Sequence, residues 1–329
     1  MSPSPEPLSD ASCASASRAS LCHQVMMVRP ARFGWNRETA GSNKFQVAAA
    51  DAEANMIHEE ALREFDSLKE ALESAGVHVH AFDDNLVPAT PDSIFPNNWV
   101  SFHADGSVIL YPMHAANRRE EVRAEWIEDL QKALGVTWVR RIDLRPLCDQ
   151  DQFLEGTGSL VLDRPNKVAY AALSPRTTRG ALDAFAKVSG YTIHALRTSV
   201  EGHPVYHTNV MMSLGQSHAV VCLQAMPNRR EQQDLLDSLQ ASGRQVLEID
   251  RDQMLNFAGN QITLANRAGD PVIVMSKRAL ACLRPSQVRE MEGHGQIVAP
   301  CLMTIEHHGG GSARCMVAEI ATPEAHGPS

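Results

Sequence analysis

The sequence predicts an α/β fold made of about five repeats of one unit, hairpin, helix and strand, closed as a propeller. Three observations predict it. Short apolar strands alternate with amphipathic helices in the same order along the chain, at a period of roughly 50 residues. Helices stop at glycines such as Gly76, Gly135 and Gly243, which accept the left-handed conformation of a helix end. The first strand has no hairpin partner upstream and the last has none downstream, so each is the natural partner of the other and pairing them leaves no open edge. An open α/β sheet, in which plain alternation of strands and helices mimics a repeat, is the alternative.

The elements follow in order. Residues 25–28 are a short apolar strand. After a loop holding Trp35 and Gly41, residues 46–74 carry Leu62, Phe65, Leu68 and Leu72 at helical spacing, and 77–82 alternates as a strand. Residues 98–102 and 107–111 flank an Asp105-Gly106 turn and read as a hairpin. A helix over 117–134 and a strand over 137–142 complete that unit. Hairpins at 158–162 with 168–173, at 210–214 with 218–223 and at 261–265 with 271–275 begin the next three. Their helices are expected at 176–188, 228–241 and in a short stretch to Met291, and their strands at 191–196, 245–249 and 297–301. Residues 316–320 are the closing strand. One domain over 24–322 is expected, between Ser/Pro/Ala-rich residues 1–23 and a short tail at 323–329.

The chain of 329 residues has a formal net charge of -9 and an apolar fraction of 43%, ordinary for a globular protein. Acidic and basic residues are interspersed, which argues against a nucleic-acid surface. No run approaches the ~20 apolar residues of a membrane span. Seven cysteines, Cys13, Cys22, Cys148, Cys222, Cys282, Cys301 and Cys315, are scattered and form no CxxC. Neither a disulfide framework nor a thiolate zinc site is suggested, and a reducing cytoplasm fits. A small-molecule partner is expected, without cofactor; a homo-oligomer is compatible with the sequence.

Chemistry concentrates in His307-His308-Gly309-Gly310-Gly311-Ser312-Ala313-Arg314-Cys315-Met316. A flexible glycine run leading to a cysteine and then an apolar strand suits a thiol nucleophile, although a glycine turn before a buried small residue reads the same way locally. The other units carry polar residues where their hairpins start: Phe95-Pro96-Asn97-Asn98-Trp99, Phe153-Leu154-Glu155-Gly156-Thr157-Gly158-Ser159, Tyr206-His207-Thr208-Asn209 and Asn256-Phe257-Ala258-Gly259-Asn260. In a ring, equivalent positions face one axis, so a Cys, a His, a Glu and several Asn would meet at one mouth.

Leu154-Glu155-Gly156, His207-Thr208-Asn209 and Gly310-Gly311-Ser312-Ala313-Arg314-Cys315-Met316 resemble the motifs of the guanidino-group-modifying enzymes, or penteins. Arginine deiminase, dimethylarginine hydrolase and the amidinotransferases are members, all five-bladed α/β propellers. With Phe-Pro-Asn-Asn-Trp, the sequence is most similar to the amidinotransferase-related branch that contains citrulline utilisation hydrolases. The resemblance spans nearly all of 25–320.

It implies Cys315 as nucleophile, His207 as acid and base, and Glu155 as the carboxylate orienting the histidine. Asn98 and Asn209 stand where arginine deiminases grip a guanidinium with aspartates. A cation in a dry pocket calls for carboxylates, whereas a neutral ureido group needs donor and acceptor together, which an amide supplies. The replacement therefore points to citrulline, hydrolysed through a covalent Cys315 intermediate to ornithine, carbon dioxide and ammonia. Gly311, within the loop 309–312, would lend backbone amides to the developing oxyanion. Arg314 is a candidate for the amino-acid end of the substrate, together with Arg29, Arg32, Arg37 and Arg176.

Arginine deiminase, dimethylarginine hydrolase and amidinotransferase activities on the same fold are the alternatives. A metal hydrolase built on His78 with His80 or His307 with His308 is a weaker reading, because neither pair has helical ligand spacing. A binding or scaffold protein on the same ring is a third.

Overall fold

The computed structural model describes residues 21–323; most of the two expected tails lies outside the described residues. Five sheets of three strands each carry the architecture. The first joins β1 (Gln24–Arg29) and β2 (His78–Asp83) to the last strand of the chain. The second holds β3 (Val100–Phe102), β4 (Ser107–Leu110) and β5 (Arg140–Asp143), and the third β6 (Val161–Asp163), β7 (Val168–Ala172) and β8 (Thr192–Leu196). The fourth holds β9 (Met212–Leu214), β10 (His218–Val221) and β11 (Gln245–Glu248), and the fifth β12 (Ile262–Ala265), β13 (Pro271–Val274) and β14 (Gln296–Val298). Closing strand β15 (Ala318–Glu319) pairs antiparallel with β1, Val25 opposite Glu319 and Met26 opposite Ala318. Chain start and chain end therefore share one sheet.

In every sheet the middle strand has one antiparallel and one parallel neighbour. A hairpin makes the antiparallel pair in all but the first sheet, where the two chain ends make it, and a parallel partner needs a crossover. Helices supply it at Ala54–Ser74, Ala124–Leu134, Arg179–Ser189 and Arg229–Ala241. The crossover in the fifth unit has two pieces, Lys277–Cys282 and Pro285–Glu292. Helix Ala54–Ser74 shows why these segments fold: Ile57, Ala61, Phe65, Leu68 and Leu72 fall on one stripe and are buried. Gly135 and Gly190 end their helices in the left-handed region, at φ 63° and 72°.

Four apolar clusters form the core, three shared by sheets consecutive along the chain and one by the first sheet and the last. One packs β1 and β15 against β3 and β4, and another joins the second sheet to the third. A large cluster runs through the third, fourth and fifth sheets. The remaining one ties Val25 and Met27 of the first sheet to Ile262, Leu264, Val272 and Val274 of the fifth.

Several boundaries differ from the sequence reading, for physical reasons. The helix expected at 46–74 starts at Ala54, because residues 36–47 are used elsewhere, over the cavity described below. The 117–134 helix is split into Ala116–Arg119 and Ala124–Leu134. Here Arg118 turns inward to a buried salt bridge with Glu121, 2.8 Å, instead of continuing the surface stripe. Pro285 breaks the helix leading to Met291, since a residue before proline avoids the helical region. Three expected strands begin two or three residues late, because Pro96–Asn98, Gly156–Ser159 and Thr208–Met211 are single helical turns. No helix among the described residues is long and apolar enough to cross a membrane.

Candidate active site

Those three turns position three of the expected site residues, Asn98, Glu155 and His207. Glu155 stands immediately before the Gly156–Ser159 turn and is fully buried. Its Oε1 accepts from the His114 backbone N–H at 3.1 Å. Its Oε2 lies 2.8 Å from His207 Nε2, 3.4 Å from Arg176 Nη1 and 3.7 Å from Arg118 Nη1. Burial alone would raise this carboxyl's pKa, but Arg176, His207 and Arg118 outweigh it and hold it well below the usual carboxylate range. His207, in extended backbone just ahead of the Thr208–Met211 turn, is pushed down to about 4 by burial, against the upward pull of Glu155. The pair is thus a carboxylate beside a neutral imidazole. An ionised carboxylate can only accept, so Nε2 carries the proton and donates, and Nδ1 is left as a base.

Gly158 lets the two turns meet. A Cβ there would fall 2.4 Å from Asn98 Nδ2 and 2.7 Å from His207 Nδ1. Gly156, at φ +43°, would put a Cβ 2.2 Å from the Asn97 carbonyl oxygen. The Gly-x-Gly spacing therefore serves the close approach of three backbone segments.

Cys315 is 3% exposed. Its sulfur receives amide N–H groups from Asn209 Nδ2 at 3.4 Å and Asn260 Nδ2 at 3.3 Å. Asn260 is itself fixed, donating to the Asn209 carbonyl at 3.0 Å and accepting from the Arg314 N–H at 3.1 Å. Two amide N–H groups thus converge on one sulfur, which itself faces Asn260 Oδ1 at 3.7 Å. The glycine run preceding it has a steric origin: Phe95 would stand 2.9 Å from a Cβ at either Gly309 or Gly311, and Gly310 sits at φ +64°.

Cys315, His207, Asn98, Gly309, Gly310 and Gly311 line one cavity of about 10 Å³, with Asn43, Asp92, Phe95, Arg118, Arg176 and Tyr206. That is room for about one water. Residues 36–47 cover it. Asn43 and Gln46 donate to the Gly310 and Gly309 carbonyls at 3.3 and 3.0 Å. The Thr39 carbonyl and Ser42 hydroxyl accept from Arg176 at 3.0 and 2.9 Å. Arg176 thereby links the cover to Glu155.

Three residues of this site escape a sequence reading. Asp92 stands in a loop and Arg118 in the short helix Ala116–Arg119, neither within a motif. Arg118 is buried, with Glu121 at 2.8 Å, Asn98 Oδ1 at 2.9 Å and Asp92 at 3.7 Å. Asp92 Oδ2 accepts from Asn36 at 2.8 Å, and its Oδ1 has no partner. Asn260 lies in the repeated hairpin-start motif, which was its signal.

Arg314 does not reach the cavity; its guanidinium donates to the Val317 carbonyl at 2.8 Å and to Glu319 at 2.9 Å. Asn209 touches the sulfur without lining the cavity. His78 and His80 stack at 4.4 Å. Among the described residues no group of three or more His, Cys, Asp or Glu side chains is placed to hold a metal ion.

Comparison with known proteins agrees with this architecture. No curated protein sequence matches the chain. Among solved structures, the N-terminal domain of ArgZ, an arginine dihydrolase of the ornithine-ammonia cycle in cyanobacteria, superposes with a TM-score of 0.70 at 16% identity; the match covers 91% of this chain and 98% of that one. Unliganded AgrE gives 0.70 at 18% identity, over 91% of this chain and 39% of AgrE. A dimethylarginine dimethylaminohydrolase bearing an S-methyl-L-thiocitrulline adduct gives 0.61 at 15% identity, over 91% of this chain and all of the other. The family profile of the eukaryotic N,N dimethylarginine dimethylhydrolases matches residues 29–322, so the chain belongs to that family of guanidino-modifying pentein hydrolases.

Proposed function

We propose that the protein is a thiol-dependent hydrolase of citrulline, releasing ornithine, carbon dioxide and ammonia. The observation carrying this reading is the amide chemistry around the sulfur. Asn209 and Asn260 hydrogen-bond the Cys315 sulfur, and Asn98 lines the same cavity as the thiol. Amides suit a neutral ureido group, with its carbonyl and N–H, better than a guanidinium cation.

In this mechanism His207 Nδ1 takes the thiol proton, and the Cys315 thiolate adds to the ureido carbon. Charge collects on the carbonyl oxygen, beside the backbone of the glycine loop. Gly310 N–H is committed to the Glu306 carbonyl, so Gly311 and Ser312 are the donors we assign. The histidine returns its proton to the departing nitrogen, ammonia leaves, and a thiocarbamate links substrate to sulfur. Water gives a proton to His207 and attacks; the thiolate departs, and the carbamate breaks down to ornithine and carbon dioxide. Glu155 keeps the imidazole in the required tautomer.

We also propose that the five sheets close into a ring with this cavity on its axis. The shared sheet of the two chain ends and the core clusters that step from each sheet to the next support it. The free thiols suit a reducing cytoplasm.

A second reading has a specific basis. Asp92 Oδ1 is a buried acceptor without a partner beside the cavity, and a cationic arginine would satisfy it. The same thiol would then carry arginine through citrulline to ornithine, the arginine dihydrolase activity named for ArgZ. The family profile likewise suggests dimethylarginine.

The test is to incubate the protein separately with citrulline, arginine, dimethylarginine and agmatine, and to measure ornithine, citrulline, methylamines and ammonia. Ornithine and ammonia from citrulline are expected, with turnover abolished and folding intact in Cys315→Ala. Release of citrulline as the end product, from arginine or dimethylarginine, would replace the citrulline reading.

A further inference from the structure

A second cavity, of about 500 Å³, shares no lining residue with the first, yet it is lined by Asn209 and Arg314, which flank Cys315 from behind. Its charge does not balance. Arg164 and Arg314 share a single carboxylate, Glu319, at 3.6 and 2.9 Å. The Arg244 guanidinium is already matched, by Asp163 at 2.6 Å. One positive charge is therefore left over.

Its hydrogen bonds do not balance either. Asn209 Oδ1 and Gln261 Oε1 are buried without a hydrogen-bond partner, Arg164 Nη2 has only the long ion pair to Glu319 at 3.6 Å, and all three residues line this cavity. A buried polar atom left without a partner is costly, so two such oxygens beside an under-paired guanidinium around one space call for an occupant. That occupant needs an anionic group for Arg164 and N–H donors for the two amide oxygens. The volume falls within the usual range for small ligands. Part of the wall, at Met212, Leu214 and Ile262, is apolar.

We propose that this cavity binds an α-amino acid with an apolar side chain, carboxylate toward Arg164 and ammonium toward Asn209 and Gln261, and that its occupancy activates Cys315. The link is the Asn209 amide, which has a donor end and an acceptor end. A ligand ammonium held at Oδ1 fixes the acceptor on its own side and so fixes Nδ2 on the sulfur, where it stabilises the thiolate. Coupling of this kind is reciprocal, so ligation of the thiolate form also tightens binding of the amino acid.

L-Leucine is the probe, and neither readout needs turnover or the identity of the substrate. Calorimetric titration of the full chain should show one site, weakened at least tenfold in Arg164→Met and in Gln261→Met but unchanged in Arg176→Met, which lies in the first cavity. Saturating L-leucine should speed iodoacetamide labelling of Cys315 severalfold in the wild type and leave both variants unaffected. Gln261→Met keeps the charge of the cavity and so covers the case in which Arg164→Met does not fold. Absence of L-leucine binding, binding unchanged in Gln261→Met, or a labelling rate indifferent to L-leucine would each overturn the proposal.

Discussion

His207 and Glu155 show how position sets the role of a residue type. Both are buried, and burial penalises charge on each, but two guanidiniums lie within 3.7 Å of the carboxylate, so Glu155 stays ionised while the imidazole stays neutral. Glu155→Gln replaces the acceptor-only carboxylate by an amide that can also donate, so the tautomer is no longer fixed, and leaves Arg118 and Arg176 short of a countercharge. Steady-state kinetics should show kcat lowered at least about 100-fold with KM little changed. Gly158→Ala tests the close approach. His207 and Asn98 are both held by other bonds, so a methyl group there must displace them, at about 1–3 kcal/mol of stability and about 100-fold in kcat/KM. Thermal melts and kinetics of that variant read both; wild-type kinetics would mean that the site tolerates the shift. At this scale the sequence was informative only where a motif existed. Cys315, His207, Glu155 and Asn98 stand in motifs repeated at hairpin starts. Asp92 and Arg118 meet them only through the tertiary fold, and Arg314 stands beside Cys315 in sequence while its side chain runs the other way to Glu319.

At the scale of elements, the ends of the single turns Pro96–Asn98, Gly156–Ser159 and Thr208–Met211 read in the sequence as the first residues of strands. A helical turn of three or four residues is too short for a 3.6-residue period to register, and its buried apolar residues continue the pattern of the strand behind it. The cover over residues 36–47 left no periodic signal for a related reason: it is held by side-chain to backbone bonds. With the cavity at about 10 Å³, no amino acid enters unless this segment moves. Asn43→Ala combined with Gln46→Ala removes two of its ties to the glycine loop. Hydrogen exchange of the amides in 36–47 should quicken, and KM should rise several-fold as the closed state loses population. Unchanged exchange would show that the bonds from Arg176 to Thr39 and Ser42 suffice to hold the cover.

At the scale of the whole molecule, the repeat was the legible part, because alternation of strand and helix at one period survives errors of several residues at each boundary. The pairing of β1 with β15 followed from the two orphan strands at the chain ends. Nothing in the sequence marked which histidines the packing would bury. His103, His207 and His218 are pushed down by burial, from 6.5 to about 3, 4 and 4. The unfolded chain takes up these protons near pH 6.5, and the folded chain resists until pH falls to about 3–4. Their contribution to stability is therefore complete above about pH 6.5 and is lost progressively below it, at no more than about 1.4 kcal/mol per pH unit for each histidine. Guanidinium denaturation should show a midpoint that falls steadily from about pH 6.5 to about pH 4, with salt having little effect because the groups are buried.

The central claim, that Cys315 carries the substrate covalently, is open to direct measurement. Protein quenched with acid during turnover of citrulline, then digested and weighed, should show the peptide containing Cys315 heavier by the mass of citrulline less ammonia. The adduct should be absent in Cys315→Ala, and strongly diminished when His207 is replaced by Gly, because the same imidazole serves its formation. Turnover with no adduct on that peptide, or an adduct on another cysteine, would contradict the account.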